Sequence, residues 1–209
     1  LYVQEAKRQV FGRVGIDSLA GPSDVLIVLA GEGADPRLAA LDLLAQAKHG
    51  PGTLVLAVSP EEDVLDRVAA ELGEHLPGAT GAVCALVATD SADDALAVAE
   101  AFAPEHLQLM GSTAEALAPR VTRAGCLFVG AAAATAFGDY VTGSNHVLPT
   151  GGAARFSSAL GPGHFRRRMA QVELGEAAAA LAPAGAAIAR AEGFVRHAES
   201  MEARMGQDG

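Results

Sequence analysis

Between Asp24 and Gly130 the sequence alternates short, continuous apolar runs with longer stretches of helical periodicity. The runs are Val25–Ala30, Leu54–Ser59, Ala85–Thr89, Leu107–Met110 and Cys126–Val129, and helices are predicted over 36–48, 61–75, 92–102 and 113–123. A strand that is apolar at every position, not at every second one, has both faces covered. Such strands alternating with helices specify an α/β fold, a Rossmann-like parallel sheet with helices on both faces. Ser91 and Ser112 stand where N-caps belong, and Gly125 where a helix would stop.

After the first run comes Gly31–Glu–Gly33–Ala–Asp–Pro36, which begins like a dinucleotide fingerprint. The third glycine of that pattern would fall on Pro36, so the segment reads as a turn with a proline in the first turn of a helix. From Asp139 to about Gly163 the chain is glycine-rich and aperiodic, a length of loop that in compact domains carries function. Beyond it, 165–174, 177–181 and 184–205 read as helices, with Pro183 as a break. This tail is alanine-rich and only modestly amphipathic, so it is expected to pack on another subunit or domain.

Charge and composition narrow the function. Fifteen basic against twenty-five acidic residues give a formal charge of −10, which leaves no basic stripe for nucleic acid. The one basic cluster, Arg166–Arg167–Arg168, follows a Gly–Pro–Gly turn and reads as a solvated helix start or a contact to an acidic neighbour. The two cysteines, Cys84 and Cys126, each open an apolar run and read as small core residues with neither disulfide nor metal spacing. No apolar run reaches membrane-spanning length and no signal peptide precedes the first strand, so a cytoplasmic protein is expected. Leu1 opens inside a helical pattern with no cap before it, which leads to the expectation of further sequence upstream.

Chemistry-bearing residues gather in four blocks. Pro104–Glu105–His106 lies between the helix ending at Phe102 and the run beginning at Leu107; Pro104 turns Ala103 out of helical dihedrals, so a carboxylate and an imidazole project from one corner. Histidine titrates near neutrality and can take and return a proton. Gln46 and His49, three apart at the close of a helix, share a face. A histidine there can equally be a favourable charge at the helix C-terminus. The other blocks are Gly15–Ile16–Asp17 with Ala20–Gly21–Pro22–Ser23, and Gly138–Asp139–Tyr140–Val–Thr–Gly143–Ser–Asn145–His146–Val–Leu–Pro–Thr150.

In their order and spacing these blocks resemble the histidinol dehydrogenase family, whose members are about twice this length and whose C-terminal half the chain matches. The resemblance implies oxidation of L-histidinol to L-histidine through the aldehyde, with two NAD+ and one Zn2+ per site. Gln46, His49, Asp139 and His197 match the family's zinc ligands, a set suited to that ion apart from the unusual glutamine. Glu105 and His106 match the catalytic pair: His106 as the base of both oxidations, Glu105 as the group that activates water for the aldehyde. Ser23 and Glu192, together with the zinc ligands and His106, match substrate-binding positions. His146 lies near the substrate in the resemblance, or else makes a structural hydrogen bond; His75 and His164 match no motif and read as surface residues.

Glu192 and His197 are five apart, which on a regular helix leaves them about 140° apart. They converge only if the helix breaks, as it could near Gly193. In the family both are supplied by the partner of a homodimer, and the main NAD-binding positions lie upstream of the stretch matched here. The implied organisation is a remnant of a preceding α/β region over 1–16, an α/β domain over 17–152 and a helical dimerisation tail over 153–209. Two rivals stand beside this reading: a related alcohol dehydrogenase such as a sulfopropanediol dehydrogenase, and an inactive fragment lacking the NAD-binding half. Glu192 favours the basic, imidazole-bearing substrate.

Overall fold

The computed structural model describes residues 2–75 and 81–206. It divides into two compact units, 1–166 and 167–209. The expected tail over 153–209 and the second unit share residues 167–209.

The first unit is a five-stranded parallel sheet with helices on both faces. Its elements run α1 (Tyr2–Val10), β1 (Asp24–Leu29), α2 (Pro36–Ala47), β2 (Leu54–Ser59), α3 (Glu62–His75), β3 (Val83–Ala88), α4 (Ala92–Phe102), β4 (His106–Met110), α5 (Ser112–Glu115), β5 (Cys126–Val129) and α6 (Thr135–Tyr140). The strand order is β3-β2-β1-β4-β5, all pairs parallel, with Val25 opposite both Val55 and His106. Every residue of β1 is buried. Val25, Ile27 and Leu29 pack with Leu43 of α2 and Val68 of α3, while Leu26 and Val28 pack with Leu96 of α4 and Leu117. That two-sided burial is why the strand is apolar throughout.

Caps explain several boundaries. Asp35 accepts hydrogen bonds from Arg37 N and Leu38 N ahead of α2, whose first residue is Pro36, and Ser91 caps α4 by accepting from Asp94 N. The helix expected over 113–123 is shorter. α5 ends at Glu115, the residue whose carbonyl the ring of Pro119 would strike four positions on, and a separate 3-10 turn covers Ala118–Arg120. Gly111, not Ser112, stands at the N-cap of α5. Gly125 ends no helix: its N–H donates to Pro104 O at 2.9 Å, and a Cβ there would lie 2.6 Å from Glu105 O. The cysteines are also less buried than expected. Cys84 is exposed because β3 is an edge strand, and Cys126 is half-buried.

The segment 166–176 is not helical; its three adjacent arginines, Arg166 to Arg168, are exposed and offer no apolar stripe to bury. Pro183 does not break the tail. α7 runs Ala177–Ala191 straight through it, with alanines on either side holding the helix. The break comes at Gly193 (φ 82), where Phe194 N–H reaches Ala189 O and Gly193 N–H reaches Arg190 O, the paired bonds of a Schellman stop. α8 (Val195–Glu202) then folds back, burying Ala186, Ala189 and Ala198 with an Arg190–Glu202 ion pair at 2.7 Å. No helix among the described residues is long and apolar enough to cross a membrane.

Two glycines offer a test of this packing. Gly125→Ala should destabilise the protein by about 1–3 kcal/mol, because its methyl displaces the Glu105 carbonyl. Gly73→Ala, in α3 with nothing within 4 Å of the added carbon, should stabilise by up to about 1 kcal/mol. Denaturant melts of both variants check the pair; equal shifts would mean the corner at Glu105 yields freely.

Candidate active site

The chain returns repeatedly to the amino-terminal edge of the sheet, and there the polar residues collect. Ser23 and Asp24 open β1, Gln46 and His49 close α2, Glu105 and His106 open β4, and Asp139 and Tyr140 end α6. With His146, seven of these residues (Ser23, Gln46, His49, Glu105, His106, Asp139 and Tyr140) line a cavity of about 380 Å³. A larger cavity of about 640 Å³ lies within the second unit, but its only charged lining residues are Glu176 and Arg204. The convergent donors and acceptors are at the sheet edge.

The corner that carries Glu105 and His106 is closely held. α4 ends with Ala103 in the left-handed region (φ 55), fully buried, a conformation that costs a non-glycine residue about 1 kcal/mol or more. Pro104 and Glu105 then give their carbonyls to Gly125 N and Cys126 N, each at 2.9 Å. Glu105 N–H donates to Asp24 Oδ1 at 2.6 Å. Both side chains of the pair are buried, with Glu105 6% and His106 3% exposed.

Hydrogen-bond polarity assigns donors and acceptors around the corner. His106 Nδ1 lies 3.0 Å from the carbonyl oxygen of Asp24, which can only accept, so Nδ1 carries a hydrogen and the lone pair of the neutral ring is on Nε2. Nε2 faces Asp139 Oδ1 at 4.0 Å. Glu105 Oε2 accepts from the Ser23 hydroxyl and from Asp24 N–H at 3.2 Å, and lies 3.6 Å from His106 Nδ1. Gln46 Nε2 donates to Ser23 Oγ, which leaves its Oε1 with no hydrogen bond among the described residues. The Nδ1 of His49 donates to Gln46 O at 2.9 Å, again freeing Nε2.

Asp139 reaches the site because α6 lies close to β5. A Cβ on Gly138 would sit 2.7 Å from Phe128 Cζ, and Phe128 in turn walls the His106 ring at a centroid distance of 6.0 Å. The sequence placed Asp139 at the start of a loop; it rides on a short helix instead. His146 is exposed on the rim and makes no hydrogen bond among the described residues.

Asp24 and Tyr140 are the residues that sequence reasoning missed. Asp24 sits at the mouth of an apolar run, where a polar residue reads as a strand boundary. It is 3% exposed, and burial, with Glu105's charge beside it, pushes its carboxyl up to about 6. Below the cavity, Gln108 shares the His106 face of β4; its amide is buried without a partner meeting hydrogen-bond geometry, beside Asp42 of α2, whose carboxyl burial pushes up. Burial also pushes the Cys126 thiol up, with Asp139 adding to it, so no thiolate enters the site.

Glu192 and His197 belong to the second unit. Both are exposed, on either side of the Gly193 break, and the His197 ring stacks on Phe194 at 5.2 Å. His164 is exposed, and the His75 side chain lies outside what the structure describes.

The donor set fits a zinc ion. Gln46 Oε1, His49 Nε2 and the Asp139 carboxylate line one cavity with uncommitted lone pairs, the neutral nitrogen and oxygen donors that zinc accepts. Among the described residues no three His, Cys, Asp or Glu side chains form a metal cluster by themselves, so the glutamine is needed to complete even a three-ligand set. A dinucleotide does not fit the β1–α2 turn. Gly31 N–H is taken by Glu61 Oε1 at 2.8 Å, and Ser112 N–H bonds Glu32 O at 2.8 Å, so a carboxylate and backbone fill the phosphate's place.

The histidinol dehydrogenase family model matches residues 1–205. A histidinol dehydrogenase of Thiocapsa roseopersicina is 43% identical over 98% of this chain and 91% of its own length. One from Thermus thermophilus is 44% identical over 97% of this chain and 51% of its own length. The crystal structure of histidinol dehydrogenase from Elizabethkingia anophelis superposes with a TM-score of 0.84 at 31% identity, covering 98% of this chain and 49% of that one. The chain thus spans about half the length of the latter two relatives. On the family match and these identities, it belongs to the histidinol dehydrogenase family.

Proposed function

We propose that the chain is the zinc-holding, proton-transferring half of an enzyme that oxidises L-histidinol to L-histidine through the aldehyde, using two NAD+. One observation carries the reading: His106 is held by its Nδ1–H on the Asp24 carbonyl, which turns Nε2 toward Asp139 in a cavity that Glu105, Gln46, His49 and Asp139 also line. A base with a fixed tautomer, a second carboxylate beside it and three free metal donors suit stepwise oxidation of an alcohol carrying nitrogen ligands.

In the first oxidation His106 Nε2 takes the hydroxyl proton from oxygen as hydride leaves the carbinol carbon. The resulting imidazolium is stabilised by the Asp24 carbonyl at 3.0 Å and the Glu105 carboxylate at 3.6 Å. Glu105 then removes a proton from the water that adds to the aldehyde, through an Oε1 that has no hydrogen bond among the described residues, while Oε2 stays anchored to Ser23 and Asp24 N. Once His106 has released its proton, it accepts another from the hydrated aldehyde in the second oxidation. Zinc, when bound by Gln46, His49, Asp139 and His197, would supply a template for the substrate's amino and imidazole nitrogens. When bound, NAD+ would accept the hydrides, chemistry that is the cofactor's.

Glu192 and His197 are proposed to come from a second copy, giving a homodimer with two shared sites. The second unit supports this: its core is three alanines with Met201 against it, while Met169, Val172 and Ile188 are each more than 60% exposed. Glu192 favours a basic substrate over the anionic one of a sulfopropanediol dehydrogenase.

Three measurements on the complete holoenzyme test these assignments. His106→Asn should nearly abolish oxidation of both alcohol and aldehyde, whereas Glu105→Gln should slow the aldehyde step far more than the alcohol step; equal losses would contradict the division of labour. Metal analysis should find about one zinc per site, and His49→Asn should lower that occupancy; unchanged content would remove His49 from the ligand set. Mixing His106→Asn and His197→Asn proteins should restore partial activity, because one site of each heterodimer then carries neither change. No recovery despite subunit exchange would place His197 within its own subunit's site.

A further inference from the structure

Asp24 is a buried carboxyl group at the reacting corner to which the proposed chemistry assigns no task. The corner is short of donors: Ala103 ends α4 in the left-handed region, Pro104 has no N–H, and the first free donor after it is Glu105 N–H. That donor goes to Asp24 Oδ1 at 2.6 Å. On the far side the corner is tied by carbonyls alone, Pro104 O and Glu105 O to Gly125 N and Cys126 N. The Asp24 backbone completes the clamp, its N–H on Glu105 Oε2 at 3.2 Å and its carbonyl on His106 Nδ1 at 3.0 Å.

We propose that Asp24 is a positioning residue whose carboxylate oxygen, by holding the Glu105 N–H, aims both Glu105 and His106 into the cavity. The inference rests on the proposed roles of those two residues. Without the carboxylate the Glu105 N–H is a buried donor with no acceptor, and the Pro104–Glu105 peptide, held only through the Pro104 carbonyl on Gly125 N, can turn about that one bond. Rotation takes Glu105 Oε2 away from Ser23 and the His106 ring away from the carbonyl that sets its tautomer. The position also argues against a purely structural task. A carboxyl at the first residue of a central strand, crowded by Glu105's charge, is a poor choice for sheet stability when an uncharged acceptor would hold the same N–H. The useful feature is the acceptor, so an amide oxygen should serve in its place.

The test uses the holoenzyme with Asp24→Ala and Asp24→Asn, melting curves to establish folding, and nitrogen NMR of the His106 ring. Asp24→Ala should lower kcat about a hundredfold with KM for histidinol within about threefold, the scale of loss a misplacement near 1 Å produces. Asp24→Asn should recover to within about tenfold of the parent. The ring should be a single Nδ1–H tautomer in the parent and in Asp24→Asn, and a mixture in Asp24→Ala. A folded Asp24→Ala protein with parental kcat and an unchanged ring spectrum overturns the proposal, as does an Asp24→Asn protein as impaired as Asp24→Ala. If Asp24→Ala does not fold, Asp24→Asn decides: retention of the single tautomer supports the assignment and its loss refutes it. Should the parent fail to oxidise histidinol, the functional reading falls, while the ring spectrum still decides the role of Asp24.

Discussion

The register between β1 and β4 governs the rest of the molecule. Val25 pairs with His106, and Leu26 with Leu107. β1 is buried on both faces, so a slip of one residue would exchange every side chain of β4 between them. His106 and Gln108 would then enter the layer of Leu96 and Leu107, and Leu109 would face α2. The cost of burying those polar groups in a wholly apolar layer holds the register. It thereby places Glu105, one residue before the strand, against Asp24 and Ser23.

That register also accounts for an unusual location. Parallel sheets with this strand order commonly bind ligands in the crevice at the carboxyl ends of the strands, beside the point where the order reverses. Here the crevice between β1 and β4 is closed by main chain. Ala30 N–H bonds Met110 O at 3.0 Å, and Thr113 N–H and Ala114 N–H both bond Ala30 O at 3.2 Å. The converging polar residues occupy the opposite edge, where the ends of α2 and α4 and the starts of β1 and β4 meet. The near-miss at Gly31–Glu–Gly33 fits this arrangement, since its glycines serve a tight turn beside Glu61.

Much of the architecture is legible in the sequence because its cause is local. β2 and β5 fall where their apolar runs do, and Asp35–Pro36 and Ser91 mark helix starts by their own hydrogen-bonding capacity. The misreadings have causes that lie farther along the chain. α5 stops at Glu115 because of Pro119, four residues on. Gly125 is small because the Glu105 carbonyl passes above it, a contact no local pattern reveals. The tail misleads in the opposite sense, since Pro183 signals a break that the flanking alanines override, and Gly193 supplies it. At the site, the corner and the Gln46–His49 spacing were visible as motifs. Asp24 was not, because its partners lie eighty-one residues away.

That separation has a consequence for assembly. The layer of β1, α2, β2 and α3 is contiguous in sequence and buries its own apolar side chains, so it can be largely formed before β4 arrives. At that stage Gln46, His49 and Ser23 are in place, yet neither Glu105 nor His106 is. The Ser23–Glu105 and Asp24–Glu105 bonds close loops of roughly eighty residues, late and entropically costly contacts. A chain with most of its helix and sheet formed can therefore still lack the Glu105–His106 corner, and closure of that corner is a stricter report of complete folding than any measure of secondary structure.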